Sequence, residues 1–111
     1  MLIYFTLRSM WRAEIQGYKD YLQLEKSLSE NSVEAYDDDV QKLQQYFFIH
    51  EPNKNVEDVT LHDLEKFIVW LNDLGLEAKS QARIISGLRG FFKFLLMDNR
   101  IDINPAELLQ S

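Results

Sequence analysis

Five basic residues near the end of the 111-residue chain are spaced so that they could bind a polyanion. Between positions 79 and 100 only one acid, Asp98, accompanies them, so this segment has a net charge of +4. Because the whole chain has a net charge of −6, the remaining residues together carry −10. At about 100° per residue on a helix, all five fall within an arc of about 120°, together with Ser86 and Gly90. The five are Lys79, Arg83, Arg89, Lys93 and Arg100.

A charged helix face is usually a solvated face, which here would pair with acidic residues elsewhere in the chain. The alternative is a helix that lies on nucleic acid, with its lysines and arginines on phosphates. Gly87 and Gly90 each cost the helix about 1 kcal/mol relative to alanine, and close approach to a neighbouring helix or to a sugar–phosphate backbone would be a compensating reason. The opposite side is apolar and should pack; it consists of Ile84, Ile85, Leu88, Phe91, Phe92, Leu95 and Leu96.

The composition excludes several other classes of site. There are no cysteines, so the chain holds no disulfide, no thiol nucleophile and no cysteine zinc site. The two histidines, His50 and His62, are too few for a metal cluster built on imidazole. No glycine-rich phosphate loop and no alternating acidic calcium loop is present. With 18 acids in the chain, a carboxylate pair for acid–base chemistry has no specificity. We therefore expect no metal and no cofactor.

Apolar residues recur at helical spacing along most of the chain, which has only four glycines and two prolines. The first stripe predicts a helix over residues 11–28, and Ser29 is typical of the N-cap of a second helix that runs to about Phe48. Thr60 and Asp63 have the spacing of a capping box at the start of a third helix, which Gly75 ends. The three stripes are Trp11, Ile15, Tyr18 and Leu22; Val33, Tyr36, Val40, Leu43 and Phe47; and Leu64, Phe67, Ile68, Leu71 and Leu74.

The fourth predicted helix carries the basic face; it begins at Lys79 or Ser80 and runs to about Asn99. Asn104 followed by Pro105 is typical of the start of a fifth, short helix. Four long helices with short connections and no strand pattern predict an all-α bundle. The apolar residues 1–10 are too few to span a membrane and lack the features of a secretory signal. We expect them to form a flexible leader.

Three segments of the sequence resemble the N-terminal core-binding domain of tyrosine recombinases, the phage-type integrases, of the XerC/XerD-like kind. Residues 28–36 (LSENSVEAY), followed by Asp39 and Val40, are similar to the opening motif of that domain. Residues 80–95 (SQARIISGLRGFFKFL) resemble its last long helix. Residues 104–109 (NPAELL) resemble the segment that leads into the family's catalytic domain. Each segment alone is a weak indication of the family. Because the three occur in the family's order and spacing, together they are a specific one.

The resemblance implies a four-helix, SAM-like domain over residues 11–103 that forms one half of a clamp around double-stranded DNA. It also implies that residues 104–111 begin a linker to a catalytic domain, and that other recombinase protomers assemble on the same DNA. In the family, the second and fourth helices present their N-terminal parts to the major groove and flanking phosphates. Together with the basic face, this predicts the DNA-binding residues Ser29, Asn31, Ser32, Lys79, Ser80, Arg83, Ser86, Arg89 and Lys93.

The sequence departs from the family in the second helix, where many relatives carry basic residues and this chain has Asp37 and Asp38. A phosphate contact from this turn is therefore not expected. We interpret the acidic run Glu34, Asp37, Asp38 and Asp39 as a solvated face, with a subunit contact or repulsion of wrong DNA poses as alternatives.

The family's reaction uses a tyrosine nucleophile and leaves a 3′-phosphotyrosyl link, so it needs cations on the phosphoryl oxygens. The family's His-x-x-Arg signature is matched at neither His50 nor His62. Tyr18 and Tyr36 fall on packing stripes, which predicts a role in the core. We therefore expect a non-catalytic domain excised from a longer cytoplasmic enzyme, monomeric by itself and without membrane contacts.

A second interpretation belongs to a different class of protein. An acidic helical module that shares only the bundle would bind a basic protein through residues 37–39 and would not bind DNA. The two interpretations differ in whether the fourth helix contacts a duplex.

Overall fold

The computed structural model describes residues 10–110 of the chain. Four α-helices lie within this range, and no β-strand occurs in it. Their bounds are Arg12–Asp20 for α1, Glu30–His50 for α2, Leu61–Asp73 for α3 and Ala78–Met97 for α4. The prediction of an all-α, SAM-like fold is confirmed. The predicted leader, apart from Met10, lies outside the described residues.

The chain divides into two compact units, the first ending at Lys54 and the second beginning at Asn55. Helices α1 and α2 belong to the first unit, and α3, α4 and the C-terminal segment belong to the second. The buried apolar residues of the first are Trp11, Ile15, Tyr18, Leu22, Val33, Val40, Leu43, Tyr46 and Phe47. Those of the second are Val56, Val59, Leu64, Phe67, Ile68, Leu71, Ile84, Ile85, Leu88, Phe91, Phe92, Leu95, Ile101, Ala106 and Leu109.

Most of each predicted stripe is buried, but three residues are not fully so. Tyr36 is half-buried. Leu74 is 65% exposed at the C-cap of α3. Leu96 is 38% exposed in the last turn of α4.

The first helix ends earlier than its stripe predicted. Beyond Asp20 the chain continues as a π-helical turn, Tyr21–Glu25, in which the Lys26 N–H donates to the Tyr21 carbonyl at 3.1 Å. Ser27 then adopts a left-handed φ of 53°, and the Leu28 N–H closes the turn on the Leu22 carbonyl at 3.1 Å. Leu22 remains buried in this wider turn, which is why the stripe outlasts the α-helix.

Tyr18 has the core role that its spacing predicted, with only 3% of its surface exposed. Burial raises the pKa of its phenol far above the ordinary value, and the neighbouring Tyr36 and Asp39 raise it further. The hydroxyl is therefore held in its neutral, protonated form.

The predicted helix ends are confirmed at the second and third helices. The Ser29 Oγ accepts a hydrogen bond from the Ser32 N–H at 3.2 Å. Thr60 and Asp63 form a complete capping box, with bonds of 3.1 and 3.0 Å. Gly75 follows α3 with φ +86°, and its N–H donates to the Asn72 carbonyl at 2.9 Å. These local bonds satisfy backbone groups that a helix end leaves without partners.

The predicted fifth helix is present only as a pair of tight turns. The Glu107 N–H donates to the Asn104 carbonyl at 3.4 Å, and the Leu109 N–H donates to the Ala106 carbonyl at 3.2 Å. The Asn104 Oδ1 accepts from the Ala106 N–H at 2.9 Å and starts the turn as predicted. The Ala106 carbonyl also accepts a hydrogen bond from the Arg89 Nε, and the Leu109 carbonyl accepts one from the Arg89 Nη2.

Candidate nucleic-acid interface

The start of α4 is held by a side chain that the sequence analysis did not single out. Gln81 is only 6% exposed, and its Nε2 donates to the Asn72 Oδ1 at 3.1 Å and to the Leu76 carbonyl at 3.0 Å. These two bonds fix the first turn of α4 to the end of α3. The sequence signal for such a residue is an amide side chain on the apolar side of an amphipathic helix, because a buried amide must form hydrogen bonds.

The predicted basic face of α4 lies on the surface. Its apolar side is buried from Ile84 to Leu95, and its exposed side carries Lys79, Arg83, Ser86, Arg89 and Lys93, with Ser80 half-buried. Lys79 and Lys93 form no ion pair or hydrogen bond with any other described residue. Pairing with acids of the described chain therefore does not occur at these two lysines, and their exposure fits both a solvated face and phosphate contacts.

Arg100 does not belong to this face, although the helical projection placed it there. Helix α4 ends at Met97, and Asn99 adopts a left-handed φ of 58° that turns the chain away. The Arg100 Nε lies 3.0 Å from the Asp98 Oδ2. The projection failed because it assumed a helix that continues beyond its real end.

Arg89 lies on the exposed side of α4, but its guanidinium is used within the second unit. Its Nε donates to the Ala106 carbonyl at 3.3 Å, and its Nη2 donates to the Leu109 carbonyl. The Asn104 Nδ2 donates back to the Arg89 carbonyl at 3.4 Å. We call this set of bonds between Arg89 and residues 104–109 the Arg89 clasp. Two of the five N–H groups of the guanidinium are thus occupied by backbone oxygens.

The predicted residues of the second helix lie together at the N-terminus of α2. Ser29 and Asn31 are exposed and Ser32 is half-buried. The Ser29 hydroxyl caps the helix and lies 3.0 Å from the Ser32 Oγ, so both hydroxyls take part in the cap. The Asn31 amide forms no hydrogen bond with another described residue and remains available to an external partner.

The interpretation of the acidic run as a solvated face is wrong for half of its members. Glu34 and Asp38 are exposed, whereas Asp37 is 7% exposed and Asp39 is fully buried. The Asp37 Oδ2 accepts from the Gln41 Nε2 at 2.8 Å and lies 3.7 Å from the Lys19 Nζ. A buried carboxylate with such partners contributes to the core instead of to the surface.

This burial also bears on the alternative of an acidic docking surface at residues 37–39. Only Asp38 presents its carboxylate to solvent there. A basic partner would therefore meet one exposed carboxylate instead of three.

The described part of the chain offers neither a metal centre nor a membrane span. No three His, Asp or Glu side chains within residues 10–110 are grouped so that they could hold a metal ion. None of the helices in this range combines the length and the apolar character that crossing a bilayer requires.

The sequence matches the family model described as phage integrase, N-terminal SAM-like domain, over residues 15–99. It is 38% identical over 97 residues to the tyrosine recombinase XerD of Chlorobaculum tepidum. It is 32% identical over 96 residues to the tyrosine recombinase XerC of Pediococcus pentosaceus, and 33% identical over 97 residues to XerD of Staphylococcus aureus. These alignments cover 86–87% of this chain but only 31–32% of the relatives, so the chain spans about a third of their length. No solved structure matches the chain.

Proposed function

Because this chain belongs to the family of phage integrase N-terminal SAM-like domains, we propose that it is the DNA-binding module of a site-specific tyrosine recombinase. It grips one recombination half-site as one half of a clamp. The observation that carries this proposal is the exposed basic face of α4, set in a chain whose net charge is −6. Such a face gives an acidic protein one region that attracts phosphate.

The length and composition of this face suit a sugar–phosphate backbone. Lys79 and Lys93 are 14 positions apart, which is about 21 Å along a helix. Ser86 and Gly90 lie between them on the same side, and their small size lets a backbone come close to the helix. Lys79, Arg83 and Lys93 contribute the charge, and Ser80 and Ser86 contribute hydroxyl donors.

The N-terminus of α2 adds a second, uncharged set of contacts. Ser29 and Ser32 are small hydroxyl residues beside backbone N–H groups, a combination that suits a phosphate oxygen. Asn31 carries both a donor and an acceptor on an exposed side chain, which is the chemistry that reads the edge of a base. Glu30 in the same turn is exposed and opposes phosphate, so this set contributes less affinity than α4.

Arg89 takes a different role from the one implied by the family resemblance. Its bonds to the Ala106 and Leu109 carbonyls make it a positioning residue that holds the C-terminal segment to α4. In a recombinase this segment leads toward the catalytic half of the clamp, so Arg89 sets where that half is attached.

DNA cleavage is carried out by another part of a longer protein. The matching family is an N-terminal domain, and the relatives are about three times as long as this chain. Duplex DNA and other recombinase protomers on that DNA are the partners, and the cytoplasm is the compartment.

Titration of the isotopically labelled chain with a short duplex at low salt tests the proposal, because amide NMR detects weak binding. We expect shifts at residues 29–32 and 79–93. Lys79→Ala and Arg83→Ala should each weaken binding and lower the slope of log K against log salt by about 0.9. Lys66→Ala is the matched control, since it removes an exposed lysine from α3 and should leave both quantities unchanged.

Equal losses of duplex affinity in Lys79→Ala, Arg83→Ala and Lys66→Ala would show that binding depends only on the total charge of the chain. The proposal for α4 would then fail. If no amide signal shifted at a millimolar concentration of duplex, the proposal that the isolated chain binds DNA would fail.

A further inference from the structure

The second unit contains a groove of about 780 Å³ that lies apart from the basic face of α4. One wall is the 3₁₀ turn Val56–Asp58 and the residues that follow it to Leu61, and the other is the C-terminal segment from Asn99 to Leu108. Buried aliphatic residues line its base, namely Val56, Val59, Ile101 and Pro105.

Two large aliphatic side chains at the groove are exposed to solvent. Ile103 is 78% exposed and Leu108 is 75% exposed, and both line the groove. They are the most exposed aliphatic residues of the second unit. Covering such side chains would bury apolar surface that now faces water.

The groove is also strongly acidic. Four exposed carboxylates line it, and none of them forms a hydrogen bond or ion pair with another described residue. Arg100 is the single cation among the lining residues, all of which the structure describes, and it is paired with Asp98 at 3.0 Å. The four are Glu57, Asp58, Asp102 and Glu107.

The C-terminal wall is held in place from its other side. The Arg89 clasp binds the carbonyls of Ala106 and Leu109, and Asn104 bonds back to the Arg89 carbonyl. Ala106 and Leu109 are themselves fully buried. The wall therefore exists before any partner binds, which lowers the ordering cost of binding.

We propose that this groove binds a basic segment of a partner protein, one that inserts large aliphatic side chains between Ile103 and Leu108. The negative charge of the groove favours a basic partner over DNA and over a second copy of the chain. DNA phosphates are repelled by four carboxylates, and a second copy using the same groove would bring two sets of four carboxylates together. A segment rich in lysine or arginine neutralises them while its aliphatic side chains cover the apolar base. The proposal goes beyond DNA binding and does not depend on it.

A synthetic helical peptide of leucine and lysine, with the leucines at i, i+3, i+4 and i+7, is the probe. Two matched peptides accompany it: one has glutamate in place of every lysine, and the other has serine in place of every leucine. Amide NMR of the labelled 111-residue chain reports the binding site. We expect the leucine–lysine peptide to shift residues 56–61 and 101–108, and both matched peptides to bind at least about tenfold more weakly.

Variants of the groove separate its apolar and charged contributions. Ile103→Ser and Leu108→Ser should each weaken binding about tenfold through lost burial, and neither should affect folding because both side chains are exposed. Leu24→Ser, which removes an equally exposed leucine from the first unit, should have no effect. Glu57→Gln combined with Asp58→Asn should weaken binding, whereas Asp73→Asn, an exposed acid at the end of α3, should not.

Four outcomes would overturn the proposal. Equal binding of the lysine and glutamate peptides would show that charge does not select the occupant. Shifts outside the groove, or equal losses in the Leu24 and Leu108 variants, would place binding elsewhere. Concentration-dependent shifts at residues 101–108 without peptide would assign the groove to a second copy of the chain. None of these results depends on whether the basic face of α4 binds DNA.

Discussion

Arg89 illustrates how a single side chain can be exposed in part and still be structural. It lies on the exposed side of α4, in line with Lys79 and Lys93, and its guanidinium is bonded to two backbone carbonyls of the C-terminal segment. A hydrogen bond from a charged donor contributes about 1.5–3 kcal/mol, and it contributes most where the acceptor is shielded from water. The two lysines have no such bonds and remain available to a ligand.

Arg89→Gln should therefore lower the free energy of unfolding by about 2 kcal/mol, because it removes the two guanidinium bonds of the Arg89 clasp. Chemical denaturation measures this loss, and faster amide exchange at residues 106–109 locates it. Lys93→Gln is the control: it removes a charge from the same face and should change stability by less than about 0.5 kcal/mol.

The same pair of variants distinguishes positioning from phosphate contact. The salt slope of duplex binding should stay unchanged in Arg89→Gln and fall by about 0.9 in Lys93→Gln. A fall of that size in Arg89→Gln would assign Arg89 to the DNA face after all.

At the scale of elements, short-range caps define where the helices stop. Gly75 ends α3 with φ +86°, its N–H bonds to the Asn72 carbonyl at 2.9 Å, and the Leu76 N–H bonds to the Leu71 carbonyl at 3.1 Å. These two hydrogen bonds set the direction in which the chain enters α4. The side-chain hydrogen bonds of Gln81 then fix the first turn of that helix. The basic face thus depends on a turn that only a left-handed residue can make.

Gly75→Ala should destabilise the protein by about 1 kcal/mol, because alanine resists a positive φ. A Cβ at this position meets no atom within 4 Å, so the cost is conformational and not steric. Gly75→Asn is the matched variant and should lose less, since asparagine tolerates the left-handed region. Equal losses in thermal unfolding of the two variants would contradict this explanation.

At the scale of the whole molecule, charge is divided unevenly within each unit and evenly between them. Each unit has six basic and nine acidic residues, so neither is basic overall. The proposed attraction to DNA therefore rests on the basic face of α4, and the proposed attraction to a basic partner rests on the acidic groove of the second unit. An acidic total also limits non-specific binding to nucleic acid.

The salt dependence of duplex binding should reflect the small number of cations involved. With Lys79, Arg83 and Lys93 as the phosphate contacts, log K should fall against log salt with a slope of about 2.7, a loss of about 40-fold between about 50 and 200 mM. Fluorescence anisotropy with a labelled duplex measures this slope. A slope near zero would show that phosphates are not contacted, and one near six would require cations outside α4.

Spacing along the chain predicts the features that depend on neighbours within one or two helical turns. The stripe of Ile84, Leu88 and Phe91, the Ser29 and Thr60 caps and the φ of Gly75 all follow from spacing and local chemistry. The basic face of α4 follows for the same reason, since a helix converts spacing into direction.

The contacts of each polar side chain depend on how separate segments of the chain pack together. Spacing places Asp37 on the same side of α2 as Val33 and Val40, but its contact with the Lys19 Nζ at 3.7 Å comes from another helix. The Arg89 guanidinium donates to carbonyls that lie 17 and 20 positions further along the chain. The physical reason is that periodicity specifies which side of a helix a residue occupies, whereas a hydrogen-bond partner from a distant segment exists only once the chain has folded.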